Sequence, residues 1–187
     1  RSSAASDVYK RQPLDNPDMG PLVSEGQLRD VLGYVQKGIE EGATLVCGGE
    51  RYTEGECAKG YFMRPTIFDN CTPDMTIVRE EIFGPVVTIQ TFQTEEEAIA
   101  LANDTIYGLA GGVFTHQLER ALRVVKEVRA GITWVNAFNP TYNEAPWGGY
   151  KMSGIGRELG VHGLEEYQEI KQVNINLTPG PAGWYEH

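Results

Sequence analysis

Long apolar runs and paired cysteines are both missing from this 187-residue sequence. No stretch is long enough to cross a bilayer, and no charged start precedes an apolar run, so we expect no membrane association and a cytoplasmic location. The cysteines Cys47, Cys57 and Cys71 are irregularly spaced, which argues against a disulfide framework. Because no CxxC or paired Cys/His spacing occurs, we also expect no metal site.

Positive charge is scarce as well. The chain has 16 Lys and Arg against 26 Asp and Glu, a formal net charge of -10. An acidic surface repels phosphate backbones, so we expect no nucleic-acid partner. The length is sufficient for one domain with a sizeable core.

Residues 1–12 are polar and have neither a helical nor a strand period. We interpret them as a non-native tag, adapter or assembly scar and exclude them from the fold. A frayed natural terminus is the alternative. Regular patterning begins at Pro13.

Beyond Pro13, helical and strand patterns alternate. Ser24 with Gln27, and Thr94 with Glu97, form capping boxes that predict the starts of two helices, the first ending at Gly42 and the second at about residue 103. A further helix is predicted over residues 117–129, and strands over 44–47, 86–92, 111–114 and 131–136. The alternation predicts an α/β fold with a largely parallel sheet and covering helices.

Two further segments stand out. Residues 137–160 contain seven Gly or Pro and predict a long ordered loop, a class of loop that is usually functional. Residues 170–177 alternate in polarity and predict a final strand.

Three stretches resemble the aldehyde dehydrogenase superfamily: Glu80–Val86, Asn103–Val113 and Pro146–Glu158. The resemblance extends from Pro13 to the C-terminus. It implies that residues 13–160 are a partial catalytic domain and that residues 161–187 are a C-terminal oligomerisation segment. An unpaired strand at 170–177 would be an adhesive edge, so we expect a homodimer or homotetramer in the full-length form.

The resemblance implies a covalent oxidation of a small aldehyde. A cysteine thiolate attacks the aldehyde, hydride passes to NAD or NADP, and water releases the acid. The family's nucleophile in a Gly-Gln-x-Cys context, its general-base Glu and its oxyanion-holding Asn match nothing in this sequence. We therefore assign no catalytic residue, interpret the three cysteines as ordinary thiols and expect the isolated chain to be inactive. The alternative is a natural short, non-catalytic module that assembles with full-length subunits.

The same resemblance assigns Glu81 and Phe83 to the nicotinamide half of the cofactor. An ionised carboxylate can accept hydrogen bonds from both ribose hydroxyls, and an aromatic ring can lie along the nicotinamide. Without the motif, the simpler interpretation is a solvated Glu81 and a core Phe83.

The loop from Asn136 to Trp147 resembles the wall of the aldehyde pocket in that family. Its amino-acid sequence is most similar to that of the betaine aldehyde dehydrogenases. Phe138, Tyr142, Glu144 and Trp147 are the candidate substrate-binding residues. Aromatic faces and a carboxylate can hold a quaternary ammonium, which favours betaine aldehyde or a related amino-aldehyde. A generic apolar pocket for other aldehydes is the alternative.

Overall fold

The structure is a computed structural model that describes residues 19–178 and residue 180. The predicted tag at residues 1–12 lies outside this range. The described chain divides into two compact units, one of residues 19–106 and 122–128, the other of residues 107–121 and from 129 onward.

The first unit opens with helix α1, Glu25–Glu40. The Ser24 Oγ accepts a hydrogen bond from the Gln27 backbone N–H at 3.1 Å, and the Gln27 Oε1 accepts one from the Val23 N–H at 3.1 Å. Gly42 follows the helix with φ +96°, the left-handed conformation that glycine adopts without steric cost. Both predicted ends of this helix are confirmed.

A three-stranded sheet packs against α1. Its strands are β1 (Thr44–Cys47), β2 (Thr66–Asp69) and β3 (Val86–Thr88), in that spatial order. β1 and β2 are antiparallel, whereas β2 and β3 are parallel. The strand predicted over 86–92 is shorter in the structure, where β3 ends at Thr88. Beyond this end, the Ile89 N–H still donates a hydrogen bond to the Phe68 carbonyl at 2.9 Å.

The core of the first unit lies between α1 and this sheet. Val31 of α1 and Phe68 of β2 are both fully buried, and apolar residues from α1, the strands and the following turns surround them. The buried members of this cluster are Leu28, Val31, Val35, Ala43, Met63, Phe68, Cys71, Met75 and Ile77.

The first unit also contains a 3-10 turn at Gly55–Lys59 and helix α2 at Thr76–Arg79, and neither was predicted. The end of α1 anchors α2 through a carboxylate. Glu41 accepts hydrogen bonds from the Thr76 N–H at 2.7 Å and from its hydroxyl at 2.6 Å. A carboxylate is favourable at a helix N-terminus because the first N–H groups lack intrahelical partners.

This contact predicts a pH dependence of stability. The hydrogen bond from the Thr76 hydroxyl lowers the pKa of Glu41 below its ordinary value. A lowered folded-state pKa stabilises the fold above the unfolded-state pKa, and this contribution is lost as the pH falls through the folded-state pKa. Urea unfolding from pH 7 to pH 3 should show Glu41→Gln less stable than the unaltered chain at pH 7, with the difference disappearing at the acidic end. In the control Glu40→Gln the difference should not change in this way.

The first unit also contains α3, Glu95–Asn103. Its predicted capping box is confirmed, because the Thr94 Oγ accepts from the Glu97 N–H at 3.2 Å. The Glu95 carboxylate binds the Arg123 guanidinium at 2.8 and 2.9 Å. Arg123 belongs to α4, Leu118–Glu127, which confirms the helix predicted over 117–129 to within two residues at its C-terminal end.

The second unit holds β4 (Tyr107–Gly108), β5 (Ala110–Val113), β6 (Ile132–Val135), β7 (Tyr150–Lys151) and α5 (Gly160–Glu165). β5 and β6 form a parallel pair, and β4 and β7 form an antiparallel pair. The α/β class is confirmed. Parallel pairing joins β2 to β3 and β5 to β6, and the remaining described pairs are antiparallel.

The C-terminal segment differs from its predicted secondary structure. Residues 170–177 form no backbone ladder within the described chain, and the side chains of Ile170, Val173, Ile175 and Leu177 are exposed. A strand requires a hydrogen-bonded neighbour, and the described chain supplies none here. The role of this segment in assembly stays a prediction. In the described residues, no helix combines the length and apolar character needed to cross a membrane.

Candidate functional site

The residues predicted to contact the cofactor lie in a turn of the first unit, residues 80–84, which we name the acidic turn. It rests directly on α1 through Gly84. A Cβ on Gly84 would lie 2.7 Å from the Val31 Cγ2, and Val31 is fully buried. Only glycine therefore permits this close approach of the turn to the helix.

Glu81 and Phe83 both face solvent. Phe83 is 74% exposed, and its backbone has φ +52°, a conformation that a bulky residue adopts only when its surroundings hold it there. The Glu81 carboxylate makes no hydrogen bond or ion pair within the described part of the chain. An exposed ring beside an uncommitted carboxylate is a surface suited to a ligand with both a flat face and hydroxyl groups.

Two side chains of α1 hold this turn. The Gln27 Nε2 donates to the Phe83 carbonyl at 2.7 Å, and the Tyr34 hydroxyl donates to the Glu80 carboxylate at 2.8 Å. A groove of about 640 Å³ lies between the helix and the turn, lined by residues of both. Sequence reasoning gave Gln27 only a capping role and did not single out Tyr34, because neither contact leaves a local pattern.

The predicted substrate residues lie in the second unit, in residues 136–147, which we name the aromatic loop. Trp134 of β6 organises the rings. Its ring centroid is 5.3 Å from that of Phe138 and 6.4 Å from that of Trp147, and the planes are tilted. The Trp134 Nε1–H donates to the Pro140 carbonyl at 3.1 Å. Trp134 was missed as a site residue, although its position just before the loop was a usable signal.

Polar contacts fix the ends of the aromatic loop. The Asn136 side chain accepts from the Thr115 N–H at 2.8 Å and donates to the Thr115 carbonyl at 2.9 Å. At the other end, Trp147 and Glu158 exchange two backbone hydrogen bonds of 2.7 Å. Hydrogen bonds to other segments of the second unit therefore fix both ends of the aromatic loop.

The middle of the loop is open to solvent. Tyr142 is 64% exposed, Phe138 is 73% exposed, and Glu144 is also exposed, whereas Trp147 is half-buried. A turn bond from the Ala145 N–H to the Tyr142 carbonyl, 3.1 Å long, shapes this segment. Phe138 and Trp147 thus share Trp134, while Tyr142 and Glu144 lie on the outer part of the loop.

The candidate residues consequently fall into two groups, Glu81 with Phe83 in the first unit and the aromatic loop in the second. Their roles stay predictions. The described residues contain no cluster of three or more His, Cys, Asp or Glu suited to a metal ion. Burial raises the pKa of the Cys71 thiol, which disfavours the nucleophilic thiolate.

Comparisons with known proteins add to this geometry. The model of the aldehyde dehydrogenase family matches residues 3–173, so the match includes most of the segment predicted to be a tag. Betaine aldehyde dehydrogenase from Bacillus subtilis (strain 168) is 53% identical over 168 residues, which are 90% of this chain and 34% of that protein. Peroxisomal aminoaldehyde dehydrogenase 2 from Pisum sativum is 51% identical over 168 residues, 90% of this chain and 33% of that protein.

A solved structure shows the same similarity. Betaine aldehyde dehydrogenase from Staphylococcus aureus, in complex with NAD+, superimposes with a TM-score of 0.86 at 46% identity, covering 91% of this chain and 34% of that one. The chain thus spans about a third of the length of the relatives that it matches. The family resemblance read from the motifs is confirmed.

Proposed function

We propose, on the premise that this chain belongs to the aldehyde dehydrogenase family, that it is the C-terminal part of an NAD(P)-dependent enzyme that oxidises an aldehyde to its acid. In the structure, the conformation of the acidic turn supports this proposal most directly. It presents a carboxylate and an aromatic ring to solvent in a conformation that costs backbone strain. Strain of this kind clusters at functional sites.

The cofactor, NAD or NADP, supplies a nicotinamide ring that accepts hydride from the substrate. The chemistry of the acidic turn fits it. Glu81 has acceptor oxygens uncommitted to other described groups, which suits two ribose hydroxyls. Phe83 offers an exposed ring face for the nicotinamide. Both residues bind and orient, and neither moves a proton.

Removing the charge of Glu81 should weaken cofactor binding. Glu81→Gln keeps the size of the side chain but replaces charge-assisted hydrogen bonds with neutral ones of about half the strength. We expect the dissociation constant for NAD to rise about tenfold, measured by titration of the complete protein. The same change at Glu96, an exposed residue of α3, is the control and should leave affinity unchanged. Equal NAD affinity of both variants would show that Glu81 does not contribute to cofactor binding.

We propose betaine aldehyde or a related amino-aldehyde as the substrate. Such molecules carry an ammonium group, which aromatic faces attract through the ring quadrupole and carboxylates attract by charge. The rings of Phe138 and Trp147 in the aromatic loop are tilted against the Trp134 ring, and Tyr142 and Glu144 of the same loop are exposed. The similarity to a betaine aldehyde dehydrogenase and to an aminoaldehyde dehydrogenase supports the same choice.

Steady-state kinetics of the complete enzyme would test this choice. The kcat/KM for betaine aldehyde should exceed that for propanal, since propanal lacks the cationic group. Trp147→Leu should reduce the preference, because leucine keeps apolar bulk but has no ring face. A preference for propanal in the unaltered enzyme would contradict the ammonium proposal and leave the aldehyde oxidation itself intact.

The nucleophile decides between a catalytic part and a non-catalytic module. The coding DNA upstream of Pro13 should be amplified and sequenced. We expect an in-frame extension with a Gly-Gln-x-Cys motif and a glycine-rich nucleotide-binding turn. A start codon near Pro13 would support the alternative, a short module that pairs with full-length subunits.

We further propose that residues 170–177 pair with another subunit in a homodimer or homotetramer. The exposed apolar side chains Ile170, Val173, Ile175 and Leu177 on an unpaired segment support this. Sedimentation of the complete protein should show the oligomer, and a stable monomer would contradict it.

A further inference from the structure

We infer that the turn formed by Leu159 and Gly160, at the start of α5, positions the carboxylate of Glu144 and thereby contributes to the selection of a cationic aldehyde. The inference rests on the proposed substrate role of the aromatic loop. Both turn residues act through the backbone of that loop and are positioning residues rather than catalytic ones.

Gly160 lies directly against the backbone of the aromatic loop. Its N–H donates to the Asn143 carbonyl at 2.9 Å. A Cβ on Gly160 would lie 2.8 Å from the Glu144 carbonyl oxygen and 3.4 Å from the Pro146 nitrogen. These are backbone atoms, so a rotamer change could not make room for the added carbon. Gly160 therefore contacts the loop at Glu144 and on both sides of it, which a larger residue could not do in this arrangement.

The turn itself has a conformation that its sequence does not favour. Leu159 has φ +62° and ψ 167°, a region that essentially only glycine adopts, and Gly160 follows with φ +56°. Backbone hydrogen bonds hold both neighbours of Leu159 on the aromatic loop. Glu158 exchanges two bonds of 2.7 Å with Trp147, and Gly160 binds Asn143. The turn and the loop consequently fix each other.

The backbone of Glu144 is held by these contacts, whereas its side chain is exposed. The Glu144 carboxylate makes no hydrogen bond or ion pair within the described part of the chain. A carboxylate on a fixed backbone can attract an ammonium group with little loss of free energy to ordering. A neutral aldehyde gains nothing from the charge. Displacement of Glu144 should therefore weaken binding of the cationic substrate and leave binding of the neutral one unchanged.

Gly160→Ala in the complete enzyme should raise the KM for betaine aldehyde about three- to fivefold, the scale of one exposed charge interaction. The KM for propanal and the dissociation constant for NAD should not change. Gly154→Ala is the matched control. Gly154 has φ +142°, but its added Cβ would meet nothing within 4 Å, so the variant adds backbone strain without a contact to the loop. A ratio of the two KM values that is unchanged in Gly160→Ala, or equally changed in Gly154→Ala, would overturn the inference.

A double-mutant cycle tests whether Gly160 acts through the carboxylate. Glu144→Gln removes the charge and should by itself lower the preference for betaine aldehyde over propanal. Adding Gly160→Ala to Glu144→Gln should then lower this preference no further, because residues that act through one contact are not additive. Fully additive effects on the preference would show that Gly160 acts independently of Glu144, contrary to the inference.

Two variants of Leu159 keep the inference testable if Gly160→Ala does not fold. Leu159→Gly permits the observed backbone conformation and should retain the preference for betaine aldehyde. Leu159→Val should reduce the preference, because a β-branched residue adopts positive φ only with strain. Valine is chemically closer to leucine than glycine is. The reverse order would therefore show that the leucine side chain matters and that the conformation of the turn does not.

Hydrogen exchange of the complete protein supplies a readout without substrate. Exchange over residues 142–147 should be faster in Leu159→Val than in Leu159→Gly, and equal rates in the two variants would contradict the positioning role. If the unaltered enzyme shows no preference for betaine aldehyde over propanal, the proposed substrate class is wrong. That outcome would leave the exchange difference between the two variants as the separate measure of the support.

Discussion

Phe68→Ala should lower the free energy of unfolding by about 3–5 kcal/mol, the range for removing a buried aromatic ring. Phe68 is the largest fully buried side chain of the first unit, and it sits in the central strand β2. Its ring meets α1 where Gly38 leaves room, since a Cβ there would lie 3.3 Å from the Phe68 Cζ. Alanine would leave a cavity bounded by a helix and a sheet that cannot close it by a small shift.

The expected loss is a large fraction of the total stability of a domain, about 5–15 kcal/mol. Urea unfolding of the 187-residue chain, followed by far-UV circular dichroism, should show the lower midpoint. Phe92→Ala is the matched control. The chemical change is identical and lies in the same unit, but Phe92 is 56% exposed, so a surface substitution should alter stability by only about 0.5 kcal/mol. Equal losses of unfolding free energy in the two variants would show that the buried Phe68 side chain of β2 does not stabilise the core of the first unit.

Local chemistry made the first unit partly predictable. Both ends of α1 follow from residues within four positions of them: Ser24 with Gln27 at the start and Gly42 after the end. The start of α3 follows in the same way from Thr94 and Glu97. Side chains that satisfy nearby backbone groups leave a short, readable spacing.

Elements too short to show a period were missed. α2 has four residues, barely one turn, and its N-terminal N–H is satisfied by Glu41, which lies 35 positions away. The Gly55–Lys59 turn is similarly brief. A partner this distant in the chain leaves no spacing in the sequence, so only tertiary structure reveals the contact.

The same distinction between local patterns and contacts of distant segments applies to the candidate site. Glu81 and Phe83 could be named because they lie in one short motif, and so could the aromatic residues of the loop. Gln27 could not, because its partner Phe83 lies 56 positions away and is brought to it only by folding. The alternating polarity at 170–177 predicted a strand that the described chain does not form, because periodicity does not specify the hydrogen-bonded neighbour that a strand requires.

Gly131→Ala should destabilise the second unit by about 3 kcal/mol, the upper part of the range for overpacking. A Cβ on Gly131 would overlap the Gly148 carbonyl oxygen and lie 2.8 Å from its carbon. These are backbone atoms, so a rotamer change cannot relieve the clash. Either the start of β6 or the segment just after Trp147 must move, and Trp134 and Trp147 should report that movement by a change in fluorescence.

Gly112→Ala provides a control with the opposite sign. Gly112 lies in β5, beside β6, and its added Cβ would meet its nearest atom at 3.5 Å, an ordinary contact. Its backbone is not left-handed, so alanine should be neutral or stabilise the chain by up to about 1 kcal/mol through the unfolded state. Gly112 lies in β5 and Gly131 directly precedes the neighbouring strand β6, so intrinsic strand preference predicts the same sign for both. Opposite signs would show that the contact with Gly148 demands glycine at 131, and similar effects would show that it does not. Because Gly148 follows Trp147 directly, we also expect Gly131→Ala in the complete enzyme to raise the KM for the aldehyde more than the dissociation constant for NAD.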